Sequence, residues 1–178
     1  MRIISGTKRG HKLYGFEGRD IRPTTDRVKE SMFNLIQDFV GNSRVLDLFA
    51  GSGALSFEAL SRGAESAVCV DKDTNSVALI NKNNASLGFT NIKVLNCEAM
   101  RFLAETKDKF SLIFLDPPYN KGIISPIVDE ILAREVLEIG GIIVLESDFS
   151  DEHGDFAGLA IIKQKKYGRS YVTVYKRG

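Results

Sequence analysis

Arg44-Val45-Leu46-Asp47-Leu48-Phe49-Ala50-Gly51-Ser52-Gly53 is the stretch on which the fold turns. Its first six residues read as a buried strand, and Ala50-Gly51-Ser52-Gly53 then opens an apolar helix running to about Arg62. A strand, a glycine turn and a helix are the opening unit of a parallel sheet. The same rhythm continues outward. Ser66–Asp71 is a second strand, and Thr74 to about Leu87 a second helix closed by Gly88. Asn91–Leu95 is a third strand, followed by a short helix over Ala99–Ala104. Phe110–Leu115 is a fourth strand, Ile123 to about Leu137 a helix, and Gly141–Glu146 a fifth strand. Near-continuous apolar strands alternating with helices predict a parallel sheet covered on both faces.

The two ends depart from this pattern. Leu159–Lys166 and Ser170–Lys176 flank Tyr167-Gly168-Arg169 with no room for a helix, which predicts a terminal β-hairpin. Arg2 to Phe16 is short, basic and punctuated by glycine, and reads as a small β-hairpin outside the main sheet. Pro23-Thr24-Thr25-Asp26 reads as a helix start. The helix is expected to reach about Val40, with Val28, Met32, Leu35, Ile36 and Phe39 as a packing stripe. The expected class is therefore α/β, Rossmann-like, with a mostly parallel sheet, an antiparallel C-terminal hairpin and an N-terminal hairpin extension. At 178 residues, one domain is expected, with residues 1–22 as the basic extension and 23–178 as the core.

Bulk properties narrow the function. Hydrophobic residues at 43 % and charged residues at 26 % are ordinary for a soluble globular chain. No apolar run approaches a membrane span, and Met1 to Lys8 lacks the long apolar run of a signal peptide, so a cytoplasmic location is expected. Cys69 and Cys97 lie in apolar segments without CxxC spacing and are expected to be reduced and buried. His11 and His153 lie far apart without companion ligands, so no metal site is expected. The net charge of +1 hides a segregation: residues 1–30 carry +4, residues 163–178 carry +6 and the middle carries −9. Basic ends on an acidic body suit a polyanion if the ends meet in space; otherwise the lysines only solvate peripheral strands.

Three motifs carry chemistry. The Gly51-Ser52-Gly53 turn lets backbone approach a ligand near the positive end of a helix. Asp71, twenty residues after Gly51, ends the next strand, where an acid can accept from both ribose hydroxyls of a nucleoside cofactor. These two features suit NAD and S-adenosylmethionine alike. Ser56 replaces the third glycine of the dinucleotide fingerprint, and Asp47 puts a carboxylate where a pyrophosphate would be repelled and a methionine ammonium attracted. Both details favour S-adenosylmethionine. Glu98 and the Ala99 backbone, after the third strand, suit an adenine edge or equally a helix cap. Asp116-Pro117-Pro118-Tyr119 follows the fourth strand as a stiff ledge, since proline fixes its own φ and restricts the residue before it. Such a ledge offers acceptors to a planar NH2 group and a ring on which to stack it.

Asp47-Leu48-Phe49-Ala50-Gly51-Ser52-Gly53-Ala54-Leu55, Asp71 and Asp116-Pro117-Pro118-Tyr119 resemble the S-adenosylmethionine-dependent class I methyltransferases acting on exocyclic amines. Arg2-Ile3-Ile4-Ser5-Gly6 and Arg22-Pro23-Thr24-Thr25-Asp26-Arg27-Val28-Lys29-Glu30 sharpen this to a resemblance to the RsmD family. Members of that family methylate the N2 amine of a guanine in small-subunit (16S) ribosomal RNA. Two positions depart from the family. Ser56 stands where glycine is frequent, a change expected to affect only helix packing, and Glu98 stands where aspartate or asparagine is frequent.

The resemblance implies S-adenosyl-L-methionine as cofactor and a guanine of the position-966 type as target. Asp47 and Ala50-Gly51-Ser52-Gly53 would hold the methionine part, Asp71 the ribose, and Glu98 with Ala99 the adenine; Phe49 and Lys72 join this set. Asp116 and the Pro117 carbonyl would accept the two N2 hydrogens, with Pro118 stiffening the ledge and Tyr119 under the flipped base. No general base of shifted pKa and no metal is called for. Lys8, Arg9, Lys12, Arg22, Thr25, Arg27, Lys165, Lys166 and Arg169 are the candidate RNA contacts. The implied partner is 16S ribosomal RNA, free or in a partly assembled small subunit, with no membrane and no obligate protein partner. The rival readings are an adenine-N6 nucleic-acid enzyme, a protein-glutamine enzyme, an NAD-dependent oxidoreductase and a non-catalytic RNA-binding protein.

Overall fold

The computed structural model describes residues 1–16, 26–118, 122–148, 155–168 and 170–178. Its centre is a seven-stranded sheet: β1 (Arg44–Asp47), β2 (Ser66–Asp71), β3 (Ile92–Asn96), β4 (Phe110–Leu115), β5 (Leu137–Asp148), β6 (Leu159–Tyr167) and β7 (Ser170–Arg177). The helices are α1 (Asp26–Leu35), α2 (Gln37–Val40), α3 (Ala54–Ser61), α4 (Thr74–Leu87), α5 (Ala99–Glu105) and α6 (Ile124–Ala133). The spatial order β3-β2-β1-β4-β5-β7-β6 leaves the first five strands parallel. β7 enters antiparallel between β5 and β6. The C-terminal hairpin is therefore present, with its second strand, not its first, pairing with β5.

Apolar side chains divide between the faces as a buried parallel sheet requires. Leu112 and Phe114 of β4 pack with Met32, Phe33, Ile36, Leu55 and Leu60 on the side of α1 and α3. Ile113 and Leu115 pack on the opposite side with Phe102, Leu103, Ile127, Val128 and Ile131 of α5 and α6. Because the chain leaves β1 for β2 and β3 and then returns to β4, the connections diverge between β1 and β4. The carboxyl ends of those two strands form the crevice in which open α/β sheets bind ligands.

Several boundaries differ from the sequence reading. The expected single helix to Val40 is broken at Ile36, whose backbone (φ −113°, ψ 13°) leaves the helical region before α2. Its expected start at Pro23–Thr25 lies outside the described residues. The helix expected to reach Leu137 stops at Ala133, because Glu135 turns the chain at φ 52°. Leu137 then pairs with Phe110, so β5 begins four residues before Gly141.

The N-terminal hairpin shrinks to one antiparallel bridge, Arg2 with Lys12. It is not a free extension. Ile3 and Leu13 sit in an apolar cluster with Ala50, Ala54, Phe57, Cys69, Ile80 and Leu87. The Glu58 carboxylate accepts from the backbone N–H of Ile4 (2.8 Å) and Ser5 (3.1 Å). Lys29, fully buried, bonds to the Arg2 carbonyl and pairs with Glu58 at 3.2 Å, while Arg62 donates to Glu58 at 2.7 Å. Thr7 and Lys8 N–H groups bond to the carbonyl (2.8 Å) and hydroxyl (2.9 Å) of Ser61. At Gly6, with φ +84°, a Cβ would stand 1.8 Å from the Ser61 carbonyl oxygen, so only glycine permits this approach.

Candidate active site

Four acids meet at the carboxyl ends of the central strands. Asp47 closes β1, Asp71 closes β2, Asp116 follows β4, and Glu146 lies near the end of β5. Sheet register places them. Asp47 pairs with Cys69 on one side and Phe114 on the other, and Leu115 pairs with Leu145, so Asp116 and Glu146 are next in adjacent strands. Sequence reasoning misses Glu146. It ends an apolar run in which every neighbour is a core residue, and only the pairing of β5 with β4 brings it to the site.

Asp47 is 1 % exposed. Ser56 Oγ donates to its Oδ2 at 3.0 Å, whereas Oδ1 has no hydrogen-bond partner among the described residues. Burial pushes its pKa up to about 7; the Ser56 bond and the backbone of Phe49 and Ser56 oppose this, and the nearby Asp71 adds to it. Ser56 therefore does more than alter helix packing: it is the hydroxyl that secures the Asp47 carboxyl. That expectation is corrected by the geometry, and glycine here would leave Oδ2 without this donor.

Ala50 and Gly53 are buried, Ser52 nearly so, and Phe49 and Gly51 half-buried. A Cβ on Gly51 (φ 55°) would meet only the Phe49 carbonyl oxygen at 4.0 Å, an ordinary contact, leaving its backbone approachable by a ligand. At Gly53 (φ 78°) a Cβ would meet Phe57 at 2.7 Å. Asp71 fixes the glycine turn, accepting from Gly51 N–H (2.9 Å) on Oδ2 and from Asp73 N–H (2.9 Å) on Oδ1. Each oxygen keeps a second lone pair for another donor.

Glu98 occupies the position before α5 but makes no capping bond. Its carboxylate faces Lys72 at 3.5 Å, an exposed pair bridging the ends of β2 and β3. Ala99 is buried beside it. Asn96, also missed from sequence, donates to the carbonyls of Asp71 and Lys72 at 3.0 Å each and so holds the two strand ends together.

On the ledge, Asp116 is half-buried, Pro117 buried and Pro118 exposed, while Tyr119 lies outside the described residues. Burial foremost, then the charges of Glu146 and Asp47, hold the Asp116 carboxyl well above the usual carboxylate range. The sequence calls for no group of shifted pKa, yet one stands where the amine is expected.

The described basic candidates lie on the N-terminal segment, on α1 and on β6. Arg9 and Lys12 are exposed and Lys8 half-buried over the Phe89 ring. Arg27 is exposed on α1; Arg22, Thr25 and Arg169 lie outside the described residues. Lys165 and Lys166 are exposed on β6, with Lys165 5.3 Å from the Tyr167 ring centroid and 3.4 Å from Ser31 Oγ. Tyr167 itself bonds to Ser31, and Lys163 donates to the Leu35 carbonyl at 2.6 Å. Arg2, at the other basic end, meets Asp26 at 3.5 Å. α1 thus joins the two basic ends, one at its first turn and the other further along. Both cysteines are free; Cys69 is buried but Cys97 is only half-buried, so the expectation of two buried thiols holds for the first alone.

Among the described residues, no helix is long and apolar enough to cross a membrane. The family model described as "Conserved hypothetical protein 95" matches residues 1–176. A Bacillus subtilis (strain 168) protein described as "Putative rRNA methyltransferase YlbH" is 40 % identical over 182 residues, spanning 99 % of each chain. "Ribosomal RNA small subunit methyltransferase D" of Escherichia coli (strain K12) is 34 % identical over 178 residues, spanning 99 % of this chain and 90 % of that one. A solved structure described as "Putative methyltransferase yhhF from Escherichia coli" superposes with a TM-score of 0.91 at 35 % identity, covering 99 % of this chain and 97 % of that one. With the match running nearly end to end and the acids and glycine turn where the fold binds its ligand, this chain belongs to the RsmD family of class I methyltransferases.

Proposed function

We propose that this protein transfers a methyl group from S-adenosyl-L-methionine to the exocyclic N2 of a guanine in 16S ribosomal RNA, at a site of the position-966 type. The observation that carries the reading is the row Asp47, Asp71, Asp116 and Glu146 at one end of the sheet, with Asp47 Oδ1 buried and without a partner among the described residues. A pyrophosphate beside those acids would be repelled, while an ammonium and a sulfonium are attracted. The residues present therefore fit the cofactor. Asp47 would face the ammonium, the turn Ala50–Gly53 the rest of the methionine part, Asp71 the ribose, and Glu98 with the Ala99 backbone the adenine. Bound there, the cofactor supplies an electrophilic methyl on a positively charged sulfur.

The protein's own part is to hold the amine. The guanine N2 lone pair is delocalised into the ring, so the free amine is a poor nucleophile. The Asp116 carboxylate and the Pro117 carbonyl accept its two N–H bonds and turn the lone pair away from conjugation. Pro117 and Pro118 keep these acceptors at fixed angles, and Tyr119 supports the ring. Orientation of this kind is worth roughly 7–11 kcal/mol in favourable cases.

The names of the relatives from Bacillus subtilis and Escherichia coli support ribosomal RNA as the substrate class. Lys8, Arg9, Lys12 and Arg27, with Lys165, Lys166, Arg22, Thr25 and Arg169, would position the RNA through phosphates. The whole chain is taken as one catalytic unit, residues 1–22 serving as its basic extension, in the cytoplasm where such RNA is made. The test is Asp116→Ala. Methyl transfer should vanish while S-adenosylmethionine affinity stays within a few-fold; equal loss of both would make Asp116 a structural residue.

A further inference from the structure

Asn83 lies on α4 and is 1 % exposed. Its Oδ1 accepts from the Tyr14 backbone N–H at 2.7 Å, and its Nδ2 donates to the Tyr14 carbonyl at 3.1 Å. One side chain thereby pairs with both backbone groups of Tyr14, as a neighbouring strand would. The same Nδ2 also donates to the carbonyl of Ser52, in the middle of the glycine turn, at 3.0 Å. Lys82, next to it on α4, stands 4.0 Å from the Tyr14 ring centroid and holds that ring from the same helix. Leu13, one residue earlier, is buried in the cluster that includes Ala50 and Ala54 on either side of the turn. The segment that carries Lys8, Arg9 and Lys12 is thus tied to the turn by one buried amide and, through the shared apolar cluster, by Ile3 and Leu13.

We infer that Asn83 is a positioning residue that couples the basic N-terminal segment to the cofactor-binding turn, so that cofactor and RNA each tighten the binding of the other. This rests on the proposed function, in which the turn holds the cofactor and the segment meets the RNA. The physical reason is that the two bonds of Nδ2 share one amide plane. Tilting the amide to follow Ser52 moves it against the Tyr14 carbonyl, and a segment drawn out by RNA pulls Nδ2 from Ser52. A ligand that holds either partner in place spares the other ligand that ordering, and by linkage the effect is reciprocal.

The experiment measures binding of an in vitro transcribed, unmodified small-subunit ribosomal RNA with and without saturating S-adenosylhomocysteine. For the wild-type protein the cofactor product should tighten RNA binding about five-fold or more, within the usual range of coupled sites. Asn83→Asp keeps the acceptor for Tyr14 N–H but sets a carboxylate oxygen against two carbonyls. In it the coupling should fall below about two-fold, while both ligands still bind alone and unfolding stays cooperative. Leu13→Ala loosens the segment from its apolar side and should also lose the coupling, which keeps the test open if Asn83→Asp does not fold. Asn84→Asp is the control. Asn84 makes comparable bonds to the Phe89 backbone, at 3.0 and 3.2 Å, with no hydrogen bond to the segment or the turn among the described residues, and should retain the coupling. Independent binding of the two ligands in the wild type, or unchanged coupling in Asn83→Asp, would overturn the inference while leaving the proposed reaction intact. Failure of the wild type to bind either ligand alone would instead count against the proposed function.

Discussion

Replacing Asp47 with asparagine separates what the site costs the fold from what it gives the cofactor. In the folded protein burial holds the Asp47 pKa at about 7, against an ordinary value of 3.8. At about 1.4 kcal/mol for each tenfold change in proton affinity, keeping it charged above neutrality destabilises the cofactor-free protein by about 4 kcal/mol. The sign follows from proton uptake. Between the two values the folded state binds more protons than the unfolded state, so this contribution to stability is full below about pH 4 and is lost as pH rises through about 7. Asparagine carries no such charge. It can still accept from Ser56, but its Nδ2 takes the place of the unpartnered Oδ1, a buried donor costing about 1–3 kcal/mol. Urea unfolding of the cofactor-free proteins should therefore show Asp47→Asn gaining about 2–3 kcal/mol relative to wild type between about pH 5 and about pH 8. The same variant should bind S-adenosylmethionine poorly at every pH. A stability difference that stays flat across this range would refute the reasoning, because it would mean that Asp47 does not titrate there.

Two further outcomes test how the RNA-binding surface is built and used. Glu58→Gln removes the charge shared by buried Lys29 and Arg62 and weakens the acceptor for Ile4 and Ser5; leaving Lys29 unpaired should cost about 3–5 kcal/mol in urea unfolding. A loss below about 1 kcal/mol would show that the pair contributes little. Reversing the charges of Lys8, Arg9 and Lys12 together should weaken RNA binding. The slope of log affinity against log salt should fall by about one for each phosphate these side chains neutralise; an unchanged slope would assign them to ordinary surface.

What can be read from the sequence is local. β2 and α4 match their expected bounds because their signals sit beside them: Asp73 caps the helix by accepting from Asn75 N–H at 2.9 Å, and Gly88 closes it at φ 74°. The glycine turn and the acids Asp47, Asp71 and Asp116 are legible for the same reason, whereas Glu146 is not. The break at Ile36 is not, since the apolar stripe runs through it unaltered and only packing reveals the interruption. Leu137 reads as helical because Val136-Leu137 continues an apolar period; the turn at Glu135 uses a residue with no marked preference for positive φ. The long-range partnerships leave no local trace. Asn83 meets Tyr14 across 69 positions and Ser52 across 31, and nothing in the Asn-Lys-Asn-Asn run marks which amide is buried. Ser56 meets Asp47 nine positions away, across the glycine turn, a bond that a motif comparison reads as a lost glycine. The choice of guanine over adenine comes from the Arg22–Val28 resemblance and has no derivation in the chemistry of the ledge.

The identity of the methylated nucleoside decides between the readings. Wild-type protein, labelled S-adenosylmethionine and unmodified 16S ribosomal RNA are combined, the RNA is digested to nucleosides, and the labelled species is identified. The expected product is N2-methylguanosine. Labelled N6-methyladenosine, or label in protein with none in RNA, would contradict the proposed function.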